Sequence, residues 1–95
     1  MKDYAEIGRR KLLQIDGEAG IQVEETINRI CPDLARYLIE YSFGEIYARD
    51  GLDNRTKELA VVAALTAMGT AAPQLKVHTH AALHVGCTPE EIREV

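Results

Sequence analysis

Apolar residues along this chain recur at spacings of three and four, whereas period-two alternation never lasts more than a few positions. The pattern therefore predicts an all-α protein without strands. Helices are expected over residues 3–15, 18–30, 32–48, 54–69, 72–85 and from 89 onward. The sharpest punctuation is the last junction. There Gly86 supplies a left-handed stop, Thr88 an N-cap, Pro89 the first helical position and Glu91 the reciprocal carboxylate of a capping box. Pro32 with Asp33 marks another start, and the polar turn Arg49-Asp50-Gly51-Leu52-Asp53 ends in an Asp53 cap. No repeat or low-complexity linker divides the chain, so residues 1–95 read as a single domain.

The fourth helix stands apart, because between Leu59 and Gly69 only Thr66 is polar and such a helix calls for neighbours on every side. The first three helices carry charge densely and are expected outside. So short a chain has little outer shell to cover a buried central helix, and self-association into a homo-oligomer is the expectation. Composition narrows the class further. With 46% apolar and 27% charged residues the balance is that of an ordinary globular protein. A net charge of -4 and the lack of a basic stripe argue against nucleic acid as a partner. The longest uncharged run, Leu59 to Leu75, is broken by Gly69 and Pro73 and by three polar residues, so no membrane span is expected. The opening Met-Lys-Asp-Tyr-Ala-Glu has no apolar signal core, which makes a cytoplasmic protein the default.

Helical spacing sorts the candidate chemistry. Glu58 shares a stripe of the fourth helix with Val62, Leu65 and Gly69. A carboxylate aimed along an apolar stripe loses hydration and becomes a better proton carrier near neutrality. The plainer alternative is an acidic first-turn residue that complements the helix dipole. In the fifth helix His78 falls in line with Leu75, Ala82 and Val85, while His80 and His84 share a polar stripe with Lys76. His78 is thus the inward candidate for proton transfer, the alternative being a core histidine with its hydrogen bonds satisfied. His80 and His84 lack a third ligand and the glutamate of a zinc protease, so no metal is expected. Arg49 and Arg55 flank the polar turn before Glu58, where a guanidinium could grip a substrate carboxylate bidentately or simply pair on the surface. Cys31 and Cys87 form no CxxC motif and read as two small buried or half-buried thiols.

Two long runs then carry a resemblance. Tyr41-Ser42-Phe43-Gly44-Glu45-Ile46-Tyr47-Ala48-Arg49-Asp50-Gly51-Leu52-Asp53-Asn54-Arg55-Thr56-Lys57-Glu58-Leu59 and Leu75-Lys76-Val77-His78-Thr79-His80-Ala81-Ala82-Leu83-His84-Val85-Gly86-Cys87-Thr88-Pro89-Glu90-Glu91-Ile92-Arg93-Glu94-Val95 resemble the carboxymuconolactone decarboxylase family. The resemblance implies helices built around a buried helical hairpin, assembly into trimers or hexamers, and a fold shared with alkylhydroperoxidase D proteins. In that peroxidase branch a glutamate, a CxxC pair and a histidine form a proton relay. Glu58 and His78 match the glutamate and the histidine, but Thr70-Ala71-Ala72-Pro73 stands where the CxxC would fall. Without a thiolate to attack and a second thiol to resolve the sulfenic acid, that relay cannot reduce peroxide.

The decarboxylase branch instead implies cofactor-free loss of CO2 from an unsaturated lactone acid, in the protocatechuate route of aromatic breakdown. The expected roles are His78, tuned by Glu58, as proton donor, Arg49 or Arg55 on the substrate carboxylate, and His80 as donor to the lactone oxygen. Two other readings stay open: a peroxidase using Cys87 as its single reactive thiol, and a non-catalytic oligomeric binding protein. Family members usually continue with another apolar helix, so the last helix is expected to run on past Val95.

Overall fold

The computed structural model describes all 95 residues. The elements run α1 (Tyr4–Ile30), α2 (Pro32–Tyr37), a π-helix π1 (Leu38–Tyr47), α3 (Asn54–Met68), α4 (Ala72–His84) and α5 (Pro89–Glu94), with no strand. No helix is long and apolar enough to cross a membrane. The chain forms two compact units, Met1–Asp50 and Gly51–Val95.

In the first unit α1 is two helices joined at Gly17, whose φ of 59° and ψ of -143° are not helical. A straight helix would hold residues 9 and 24 about 22 Å apart. Instead Arg9 Nε donates to Glu24 Oε2 at 3.1 Å, so the chain doubles back at Gly17. The two helices expected over 3–15 and 18–30 are the arms of this hairpin. The helix expected over 32–48 is also present, but it widens into π1 after Tyr37. Bonds from i to i+5 leave residues four apart closer to one line than an α-helix does. Ile39, Phe43 and Tyr47 have that spacing, and with Leu12 and Leu38 they make the core of this unit. The Phe43 and Tyr47 rings lie 5.2 Å apart, centre to centre.

Two glycines let π1 and α1 touch backbone to backbone. A Cβ on Gly8 would lie 2.0 Å from the Ile39 carbonyl oxygen, and one on Gly44 would lie 2.5 Å from that of Tyr4. Neither obstacle is a flexible side chain that could swing aside.

The second unit is a helical hairpin with a short third helix. α3 packs on α4, and α5 touches both. Its core is Val62, Ala82 and Cys87, edged by Leu59, Leu75, Val85 and Ile92. The α4–α5 turn is built as the sequence reads. Gly86 has φ 102°, Cys87 N donates to Ala82 O at 2.9 Å, and Gly86 N donates to Leu83 O at 3.2 Å. That pair of bonds is the Schellman stop, and the Cys87–Ala82 contact is the apolar clasp that accompanies it. Thr88 and Glu91 then close the capping box in both directions.

One expectation fails within the chain. The nearly all-apolar α3 buries only Glu58 and Val62, while Ala60, Ala64, Ala67 and Met68 are exposed, Met68 at 59%. Within their unit α4 and α5 cover one side of a cylinder, and two neighbours cannot enclose it.

Gly8→Ala should cost about 3 kcal/mol or more, because the added methyl meets backbone with no room to give. Urea unfolding of the variant measures this, and a midpoint equal to the parent's would contradict the close approach.

Candidate functional site

The site grows from the first turns of α3. Asp53 caps the helix by accepting from Thr56 N at 2.7 Å, and the hydrogen bond from Thr56 holds the Asp53 carboxyl below its usual value. With the helix phase set there, Glu58 falls on the side that faces α4 and is 0% exposed. A carboxylate in that position costs several kcal/mol unless it is hydrogen-bonded or paired. His78 of α4 supplies a bond: its Nδ1 stands 3.0 Å from Glu58 Oε1 and 3.3 Å from Oε2. The histidine side chain is 23% exposed. The pair therefore has a buried end, the carboxylate, and an accessible end, the imidazole. Since Glu58 engages Nδ1, the nitrogen left to meet a reactant is Nε2. No buried side-chain nitrogen or oxygen in the molecule lacks a hydrogen-bond partner.

The predicted histidine stripes appear as spaced. Leu75, His78, Ala82 and Val85 turn inward to varying degrees, and Lys76, His80 and His84 are exposed. Two residues along an α-helix is a rotation of roughly 200°, so His80 lies on the far side of α4 from the Glu58–His78 contact and is not brought to it.

Arg55 is ion-paired, one of the two alternatives its position left open. Its guanidinium pairs through Nη2 with Glu91 Oε2, and its carbonyl accepts from the Cys87 thiol at 3.6 Å. The residue is tied to the α4–α5 turn. Arg49 belongs to the first unit, where it is exposed and lines a cavity of about 400 Å³ with Lys2, Tyr4, Tyr41 and Glu45 among others. Two cationic side chains at one cavity suit a carboxylate.

The thiols separate cleanly. Cys31 is exposed and Cys87 is buried at 4% exposure. Desolvation pushes the Cys87 thiol above its ordinary value of 9.0, with Arg55 pulling the other way and Glu58 and Asp53 adding to the rise. A reactive cysteine needs the opposite environment, electropositive and accessible. Cys87 is a packing residue of the Schellman turn, which weighs against the single-thiol peroxidase.

Sequence spacing missed the tie between Arg55 and Glu91. Glu91 was legible only as a capping residue, because one oxygen of its carboxylate fills that role and the other reaches a helix far off in sequence.

Residues 32–95 match the carboxymuconolactone decarboxylase family. Among curated proteins, the chain is 30% identical over 71 residues to a 4-carboxymuconolactone decarboxylase of Acinetobacter baylyi, covering 75% of this chain and 52% of that protein. It is 35% identical over 69 residues to an uncharacterized 15.0 kDa protein encoded in the nqo9-nqo10 intergenic region of Paracoccus denitrificans, covering 72% of this chain and 52% of that one. The chain thus spans about half the length of these relatives. It belongs to the carboxymuconolactone decarboxylase family.

Thiol labelling of the native protein at pH 8 should modify Cys31 first and Cys87 at least tenfold more slowly, read residue by residue by mass spectrometry. Equal rates would contradict the burial of Cys87. The raised thiol pKa also fixes a sign: the unfolded chain gives up this proton first, so the contribution to stability is complete below about pH 9.0 and is lost as the pH rises through the folded-state value.

Proposed function

We propose that this member of the carboxymuconolactone decarboxylase family is a carboxy-lyase that removes CO2 from an unsaturated lactone acid without a cofactor. The observation that carries the reading is the fully buried Glu58 carboxylate bonded to Nδ1 of a partly accessible His78. Family membership supports the reaction class, and the Acinetobacter relative bears a decarboxylase name. The missing CxxC and the protected Cys87 weigh against a thiol peroxidase.

In such a substrate the bond from carbon to the carboxylate breaks and its electron pair stays on carbon. The conjugated lactone carbonyl accepts that charge, so the substrate is its own electron sink. The protein has to orient the carboxylate, keep water away, and return one proton to carbon. His78 is assigned the last task. Glu58 holds Nδ1 and so fixes the ring's tautomer and tilt, and Nε2 of the protonated ring passes its proton to the carbanion. The ring then recovers a proton from solvent, for which its partial exposure suffices. Several copies of the chain assembling through the uncovered face of α3 would complete the shelter from water.

Glu58→Gln and His78→Ala should each lower the rate of CO2 release from an unsaturated lactone acid by about 10²-fold or more. Release is followed by coupled bicarbonate assay, with circular dichroism to confirm that the variants fold. Unchanged turnover in either folded variant removes the pair from the mechanism.

A further inference from the structure

We infer that Arg55 and Glu91 form a positioning clamp that sets Glu58 against His78. The inference deepens the proton-transfer reading of the Glu58–His78 pair and rests on it.

Two contacts converge on the first turn of α3, and a third anchors one of them. Glu91 Oε1 accepts from Thr88 N at 2.9 Å, which anchors the carboxylate to the start of α5. Its other oxygen, Oε2, pairs with the Arg55 guanidinium. The Arg55 carbonyl in turn accepts from the Cys87 thiol, and Cys87 is locked in place by its backbone bond to Ala82. The α4–α5 turn thus grips Arg55 by its side chain and by its main chain.

Glu58 sits three residues beyond Arg55, nearly one turn further along the same helix and on the neighbouring part of its surface. His78 lies on α4, the helix that leads into the gripped turn. The clamp therefore fixes how far α3 can slide or roll against α4, which is the coordinate that the 3.0 Å contact between Glu58 and His78 measures. A hydrogen bond weakens steeply when its partners part or its angle opens. The guanidinium is engaged through Nη2 by a carboxylate of its own chain, which fixes where the Arg55 side chain lies.

The capping box permits a clean separation of roles. Glutamine also serves at the third position of a capping box, so Glu91→Gln keeps the cap and removes the charge that holds Arg55. Thr88→Ala weakens the cap and leaves the carboxylate. With an unsaturated lactone acid as substrate, Glu91→Gln and Arg55→Met should each lower kcat about tenfold with KM within twofold, and Arg55→Lys should recover part of the loss. Thr88→Ala should lower Tm with kcat within twofold. In parallel, the low-field NMR signal of the His78 Nδ1 proton should exchange with water several-fold faster in Glu91→Gln than in the parent. An unchanged kcat and an unchanged exchange rate in Glu91→Gln would overturn the clamp, as would a tenfold rise in KM confined to the Arg55 variants, which is the signature of substrate binding. Faster proton exchange in a protein that releases no CO2 from any lactone acid would leave the clamp standing and remove the decarboxylase reading.

Discussion

A carboxylate withdrawn completely from water is the constraint around which the C-terminal unit is arranged. Glu58 cannot remain at 0% exposure in an apolar hairpin unless its oxygens are hydrogen-bonded, and His78 on the facing helix meets that need. The consequences spread outward. α3 must start where Asp53 caps it, so that Glu58 points at α4. α4 must stop at Gly86, so that Cys87 turns back onto Ala82 and the Arg55 carbonyl. The short α5 must begin with Glu91 in reach of both Thr88 and Arg55. Each of these features would be an ordinary structural detail alone. Together they hold one imidazole with a defined nitrogen inward and the other available.

The N-terminal unit solves a different problem. It brings charged helices close together through glycines, with Gly17 reversing the chain and Gly8 and Gly44 admitting backbone contact between α1 and π1. The Arg10–Glu6 ion pair lies at the surface, where it contributes little. Its stability rests on the Leu12, Ile39 and Phe43 cluster and on that close packing.

What the sequence discloses about this molecule follows how local each feature is. The capping box at Thr88 and Glu91, the Gly86 stop, the Asp53 cap and the proline starts are written within a few residues, and all are legible. The two histidine stripes follow from helical geometry alone. The Glu58–His78 contact was half legible: periodicity aimed each at an apolar face but could not say that the faces meet. The π-helix, the glycine contacts and the Arg55–Glu91 tie depend on residues far apart in the chain, and no local pattern announces them. The apolar run of α3 implies burial on every side, yet only Glu58 and Val62 are buried, because hydrophobicity records what a surface avoids and not what covers it.

In the proposed reaction a defined group on the protein, and not bulk water, returns the proton to carbon. The test is decarboxylation of an unsaturated lactone acid in D2O, with the product examined by NMR in a chiral orienting medium that separates the two faces. One solvent deuterium per CO2 released is expected, on a single face of the newly protonated carbon. Deuterium divided equally between the two faces would contradict it, since that is the outcome of protonation in free solution.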